Sequence, residues 1–219
     1  MEKLQYILLA FIPLLFSLSF HEAAHAWMAN RLGDPTARMM GRMTLNPIPH
    51  IDPIGTVILP LAFFFMGGSI FGWAKPVPVN ERNLRHGLRD GLLVAASGPL
   101  SNLFLACAFT FVLYLLNRAL GSSAPYAAAS FNFLVPITMM VTIGIQLNVL
   151  LAVFNFLPLP PLDGSRVAVG LFPQLAAPFA HVERYGFLLL LLLFYSGIVG
   201  VLVYRPTELI VSFLFRLAA

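Results

Sequence analysis

Long apolar runs separated by short polar clusters dominate this 219-residue chain. Five stretches approach the ~20 mostly apolar residues that an α-helix needs to cross a bilayer. They are Leu4 to about Leu32, Ile54–Trp73, about Gly91–Leu116, about Phe131–Leu157 and about Gly186–Tyr204. A shorter apolar tail, Leu209–Leu217, is expected to pack on the bundle or lie at the membrane interface. No internal repeat or low-complexity linker divides the runs. The pattern therefore predicts an all-α membrane protein with a single integral-membrane domain over residues 1–219, a polytopic bundle of about four to six transmembrane helices.

The basic residues between the runs orient them. Arg31, Arg38 and Arg42 follow the first run, and Lys75, Arg82, Arg85 and Arg89 follow the second. If both runs crossed fully, the two clusters would lie on opposite sides, against the tendency of Lys and Arg to collect on the cytoplasmic face. A second run that dips into the membrane and returns removes the conflict. Gly55, Pro60, Gly67, Gly68 and Gly72 make such a broken, re-entrant segment credible where protein shields its backbone from lipid. The third helix then runs outward, the fourth inward and the fifth outward. Residues 31, 38, 42, 75, 82, 85, 89, 166 and 184 face the cytoplasm, and Lys3, Arg118, Arg205 and Arg216 do not.

Composition agrees with this picture. Hydrophobic residues make up 59% and charged residues 10%, against about a quarter charged in soluble domains. The net charge of +4 comes from residues scattered between apolar runs, which suits anionic lipid headgroups rather than nucleic acid. One cysteine, Cys107, permits no disulfide within the chain. Ala24-His25-Ala26 imitates a signal-peptidase site, but the preceding run Leu4–Phe20 has 17 residues, longer than the usual 7–15 of a signal peptide. A retained helix is expected.

Inside the first run, His21-Glu22-Ala23-Ala24-His25 is an H-E-x-x-H sequence. Residues four apart on a helix share a face about 6 Å apart at Cβ, so both imidazoles can bind one Zn2+. Glu22 lies beside that metal, where it can hold a water. An acid in an apolar helix costs about 2.5–3.5 kcal/mol even on a lenient insertion scale. The alternative is a polar helix end whose side chains snorkel to the interface. A catalytic zinc needs a third protein ligand and an open position. His50, His86 and His181 sit in loops; Asp163 is the stronger candidate. It follows Asn155-Phe156-Leu157-Pro158-Leu159-Pro160-Pro161-Leu162, whose prolines stop the fourth helix. Irregular backbone at that depth is tolerated where it lines a cavity. The topology brings this end to the side that carries the histidines. Without them, Asp163 would read as a helix cap in a proline-rich turn.

These motifs resemble the site-2 proteases, intramembrane zinc metalloproteases of peptidase family M50. The resemblance is carried by Phe20 through Ala26, Gly98-Pro99-Leu100-Ser101-Asn102, and Asn155 through Gly164. Asn46-Pro47, His50-Ile51-Asp52-Pro53 and Gly72 through Pro78 are similar to its compact bacterial branch, which lacks a PDZ domain. The resemblance implies His21, His25 and Asp163 as ligands of one Zn2+ per chain, Glu22 as catalytic acid/base, and Asn102 and Asn155 near the substrate. It also implies a partly inserted β-like element after the zinc helix. The implied activity is hydrolysis of peptide bonds in or near transmembrane segments of membrane-protein substrates, in a bacterial or archaeal cell membrane. The active site is expected toward the cytoplasm, and the partners to be transmembrane proteins and the lipid bilayer.

A helical substrate must unwind before its carbonyl is accessible, and backbone between His50 and Val79 could pair with it as an added strand. Two competing readings are a non-catalytic scaffold and a metal transporter. A scaffold has no use for the costly Glu22. A transporter typically shows inverted repeats, which are not evident here. Gln146 and Asn148 read as polar links between helices, and His50 and Asp52 as loop residues beneath the site.

Overall fold

The computed structural model describes residues 2–58, 61–62, 73–120 and 134–219. Within these residues the chain is helical, with no strand. Helices α1 (Glu2–Leu32), α2 (Thr36–Met39), α3 (Leu88–Leu120) and α4 (Leu134–Asn155) are followed by α5 (Asp163–Leu171), α6 (Ala176–Glu183), α7 (Gly186–Tyr195) and α8 (Ile198–Ala218). Three of them are long and apolar enough to cross a membrane, over Leu8–Leu32, Leu88–Ala119 and Leu134–Asn155. The shortest, at 22 residues, spans about 33 Å at 1.5 Å per residue, enough for a ~30 Å hydrocarbon core. The protein is a membrane protein.

The three spans form one bundle. Ala29 of α1 clusters with Val94 of α3, while Ser17 of α1 lies beside Asn102 of α3, so α1 and α3 are antiparallel. Ser17 also meets Asn148 of α4, and Gly144 of α4 sits against Phe109 of α3. Helix α4 therefore runs parallel to α1 and ends beside it. Fully buried alanines at 26, 29, 106 and 152 let the helices approach closely, which supplies packing where hydrocarbon offers no hydrophobic drive.

The apolar tail packs on the bundle as the end of α8. Leu214 and Ala218 join Ala106, Leu113, Val141, Ile145 and Val149 in the main core cluster. The expected single helix over Gly186–Tyr204 is not formed. Gly197 adopts φ +77°, a left-handed conformation that ends α7 after ten residues and starts a new helix. A ten-residue helix reaches only about 15 Å, too short to span alone. Helix α8 carries Arg205, Glu208 and Arg216 and is not among the three apolar spans.

The connection from α1 to α3 leaves and returns at one end of the bundle. Arg85 N–H donates to Leu32 C=O at 3.2 Å, Trp73 N–H to Gly55 C=O at 3.1 Å and Lys75 N–H to His50 C=O at 2.9 Å. The re-entrant expectation over Ile54–Trp73 concerns mostly residues between 59 and 72, including Pro60, Gly67, Gly68 and Gly72, which lie outside the described residues. The β-like element has no counterpart among the described residues, where 73–80 is irregular.

Candidate metal centre

Helix α1 carries His21 and His25 four residues apart, so both rings project from one face. Their Nε2 atoms are 3.1 Å apart. Asp163, at the first turn of α5, places Oδ2 3.1 Å from His21 Nε2 and 3.3 Å from His25 Nε2. All three side chains lie at the end of the bundle where α1 and α4 finish. Residues 156–162 bring Asp163 back over the end of α4 through a series of tight turns, with Leu159 N–H on Leu157 C=O and Leu162 N–H on Leu159 C=O. Other histidines stay away from this group: His50 bonds Thr44 C=O, His86 pairs with Asp90 and His181 bonds Ala177 C=O.

The donor set fits a zinc ion. Tetrahedral ligands at 2.0–2.1 Å from a metal stand about 3.4 Å from one another, close to the three separations here. Tautomers agree with this. His21 Nδ1 donates to Asn102 Oδ1 at 2.6 Å, and His25 Nδ1 donates to Val94 C=O at 2.8 Å. Both acceptors take a proton from Nδ1, which leaves each Nε2 facing the other ring and Asp163 Oδ2. Two Nε2 atoms and a carboxylate oxygen facing one point are a donor set that a divalent cation would satisfy.

Two features of α3 make this possible. Val94 C=O, in the turn before Pro99, accepts from both His25 Nδ1 and Ser97 Oγ. Gly98 gives the close approach. A Cβ there would stand 2.3 Å from His25 Nε2 and 2.7 Å from His21 Cε1, inside any tolerable contact.

Glu22 is buried beside the histidines. Its Oε2 accepts Val77 N–H at 2.8 Å, leaving Oε1 for other partners. A cavity of about 480 Å³ opens here, lined among others by His21, Glu22, His25, Asp163, Trp73 and Val77. Arg42 secures the 73–79 segment through its Nη2, which donates to Lys75 C=O at 2.7 Å and Pro76 C=O at 3.3 Å. Below the segment, Asp34 accepts from Asn80 N–H and Asn83 Nδ2, and from Thr36 through both its N–H and its hydroxyl. Burial alone would raise its pKa; the hydrogen bonds outweigh that and hold the carboxyl below its ordinary range.

The remaining residues singled out in the sequence are distributed as follows. Asn155 lines the cavity and donates one N–H to Leu151 C=O at 3.0 Å. Asn102, expected near substrate, is fully buried behind His21. Asp52 accepts from Ile54 and Gly55 N–H within its own loop. The expected strand pairing meets an obstacle at 73–78. The N–H groups of Trp73, Lys75 and Val77 bond inside the protein, and Pro76 and Pro78 have none. Ser17 and Asn148 form part of the site's support, though Ser17 drew no notice in the sequence and Asn148 read as a simple link. One signal was available: Ser17, His21 and His25 recur every four residues on one helical stripe.

The model of peptidase family M50 matches residues 9–194. The chain belongs to peptidase family M50. This M50 protein is a zinc metalloprotease of the site-2 type. It is 41% identical over 200 residues to "Putative zinc metalloprotease YwhC" of Bacillus subtilis, covering 89% of this chain and 85% of the relative. It is 30% identical over 184 residues to "Putative zinc metalloprotease Rip2" of Mycolicibacterium smegmatis and 31% identical over 181 residues to its namesake in Mycobacterium tuberculosis. Each alignment covers 82% of the M50 chain and 63% and 64% of the respective relative, so the chain spans less than two thirds of these mycobacterial proteins. No solved structure matches it.

Proposed function

We propose that this protease hydrolyses peptide bonds within or next to transmembrane segments of membrane-protein substrates, as in regulated intramembrane proteolysis. It does so in a multi-pass arrangement in a bacterial or archaeal cell membrane. Its partners are those substrates and the bilayer. One zinc ion per chain is held by His21, His25 and Asp163, and Glu22 is the catalytic acid/base. The observation that carries this reading is the convergence of Nε2, Nε2 and Oδ2 within 3.1–3.3 Å beside a buried Glu22 on a cavity wall. His25 lies six residues before Arg31, about 9 Å along the helix, which supports chemistry just beneath the headgroups. The basic residues after α1 and before α3 favour the cytoplasmic side for that end.

Zinc, when bound, supplies Lewis-acid polarisation of the scissile carbonyl and activation of the attacking water. Glu22 Oε1, left free while Oε2 holds Val77 N–H, takes the water proton and passes it to the leaving amine. His21 and His25 keep their protons on Nδ1 throughout. Asn155 has a second N–H beyond the one on Leu151 and donates it toward the developing oxyanion. Leu18, Leu151 and Leu190 line the same cavity and accept apolar substrate side chains, consistent with a membrane-derived peptide. The chain's open carbonyls and residues outside 73–78, rather than that segment's donors, receive the unwound substrate backbone.

Glu22→Gln is expected to retain zinc and lose cleavage of a single-span substrate in detergent, whereas His21→Ala loses both. Full cleavage by Glu22→Gln overturns the assignment.

A further inference from the structure

Behind His21 a line of buried polar groups crosses three helices. Asn102 on α3 accepts His21 Nδ1–H on Oδ1 at 2.6 Å. Its Nδ2 donates to Asn148 Oδ1 on α4 at 2.8 Å and to Ser17 C=O on α1 at 3.4 Å. Asn148 Nδ2 donates to Ser17 Oγ at 2.8 Å and to Gly144 C=O at 2.8 Å. Ser17 Oγ donates to Pro13 C=O at 2.6 Å. Asn102, Asn148 and Ser17 are all fully buried.

Backbone carbonyls determine the direction of this line. A carbonyl can only accept. Gly144 C=O therefore fixes the amino side of Asn148, which turns Oδ1 toward Asn102. Ser17 C=O and Asn148 Oδ1 together fix the amino side of Asn102, which turns its Oδ1 toward His21. Flipping either amide would oppose oxygen to oxygen in a buried setting where no water can relieve it. His25 is held differently: its Nδ1 rests directly on Val94 C=O, with no side chain in between.

We propose that Asn148 and Ser17 are positioning residues for the metal centre, holding the Asn102 carboxamide so that its Oδ1 on His21 Nδ1 fixes the ring with Nε2 turned toward His25 and Asp163. The proposal rests on His21 being a metal ligand, as proposed above.

The test uses the protein in detergent micelles, with Zn2+ affinity read by chelator competition and the ligand geometry by the visible d–d bands of the Co2+-loaded protein. Asn148→Leu, close in shape and apolar, frees the Asn102 amide to rotate; Zn2+ affinity should fall about tenfold, the low end for partners of metal ligands, and the Co2+ bands should shift. Ser17→Ala should give a smaller change in the same direction, and Ser17→Thr, which retains the hydroxyl, should restore the wild-type pattern. Wild-type Zn2+ affinity and Co2+ bands in both Asn148→Leu and Ser17→Ala overturn the proposal, and so does a fall in the unfolding temperature of the metal-free variants with unchanged Co2+ bands, which would assign the pair a purely structural role. Undiminished zinc binding in His21→Ala instead refutes His21 as a ligand, and with it the reading on which the proposal rests.

Discussion

Gly98→Ala is the smallest change that should dismantle the metal centre. The new Cβ would lie 2.3 Å from His25 Nε2, 2.5 Å from His25 Cε1 and 2.7 Å from His21 Cε1. Ordinary carbon contacts are 3.5–4.0 Å, so the neighbours must yield by about 1 Å. His25 cannot swing aside without leaving Val94 C=O, and α3 cannot retreat without stretching the 2.6 Å bond from His21 to Asn102. Either response displaces a donor by several times the ±0.2 Å that a metal site tolerates. Overpacking costs about 1–3 kcal/mol, and replacing a helical glycine with alanine returns about 1 kcal/mol. The variant should therefore still fold while binding zinc more than about 100-fold more weakly, a loss beyond that of removing a ligand's supporting partner. Zinc affinity by chelator competition, alongside thermal unfolding in detergent, separates the two effects. Gly91→Ala is the control: it lies in the same helix with no heavy atom within 4 Å of its built Cβ, and its zinc affinity should be unchanged. A Gly98→Ala protein with wild-type zinc affinity would refute the argument that this glycine sets the α1–α3 approach at the site.

Two other perturbations probe the supports of the cavity. The carboxyl of Asp34 has its pKa lowered on folding from an ordinary 3.8, so its contribution is present above that value and is lost as pH falls through the lower folded pKa. Asp34→Asn should reduce thermal stability at pH 7 by about 1–3 kcal/mol, and the gap from wild type should narrow below about pH 4; a constant gap across that range would contradict the linkage. Arg42→Ala removes the guanidinium from Lys75 and Pro76 C=O. Amide exchange at Lys75 and Val77 should accelerate about tenfold, the equivalent of one charged hydrogen bond of roughly 1.5 kcal/mol; unchanged exchange would show that the segment is held by other contacts.

Much of the framework is written in local signals. The runs that became α1, α3 and α4 are legible because each is apolar over a membrane's thickness. The approach of Asp163 to His21 and His25 follows from two local features, an i,i+4 pair on one helix and a proline-rich stop after another, once charge places both at one end. Other features depend on relations between helices. Nothing in the apolar run Gly186–Tyr204 marks Gly197 as a turn rather than a packing glycine, because hydropathy is insensitive to φ. Asn148 and Ser17 are single polar residues in apolar helices, and their significance depends on the rotation of α1, α3 and α4 about their axes. Gly98 likewise is one small residue among several until the imidazoles are seen against it. The bonds from Trp73 and Lys75 N–H to Gly55 and His50 C=O also escaped the sequence, since they depend on which carbonyls the returning chain meets.

The proposed metal donors come from the first helix and from a turn more than a hundred residues later. A nascent chain inserted only as far as α4 owns both imidazoles but not the carboxylate, and a two-donor site cannot retain zinc as the complete set does. Hydrolytic competence would thus arise late in biogenesis, after the bundle has closed, so that a half-made protease does not cut its neighbours at the insertion machinery.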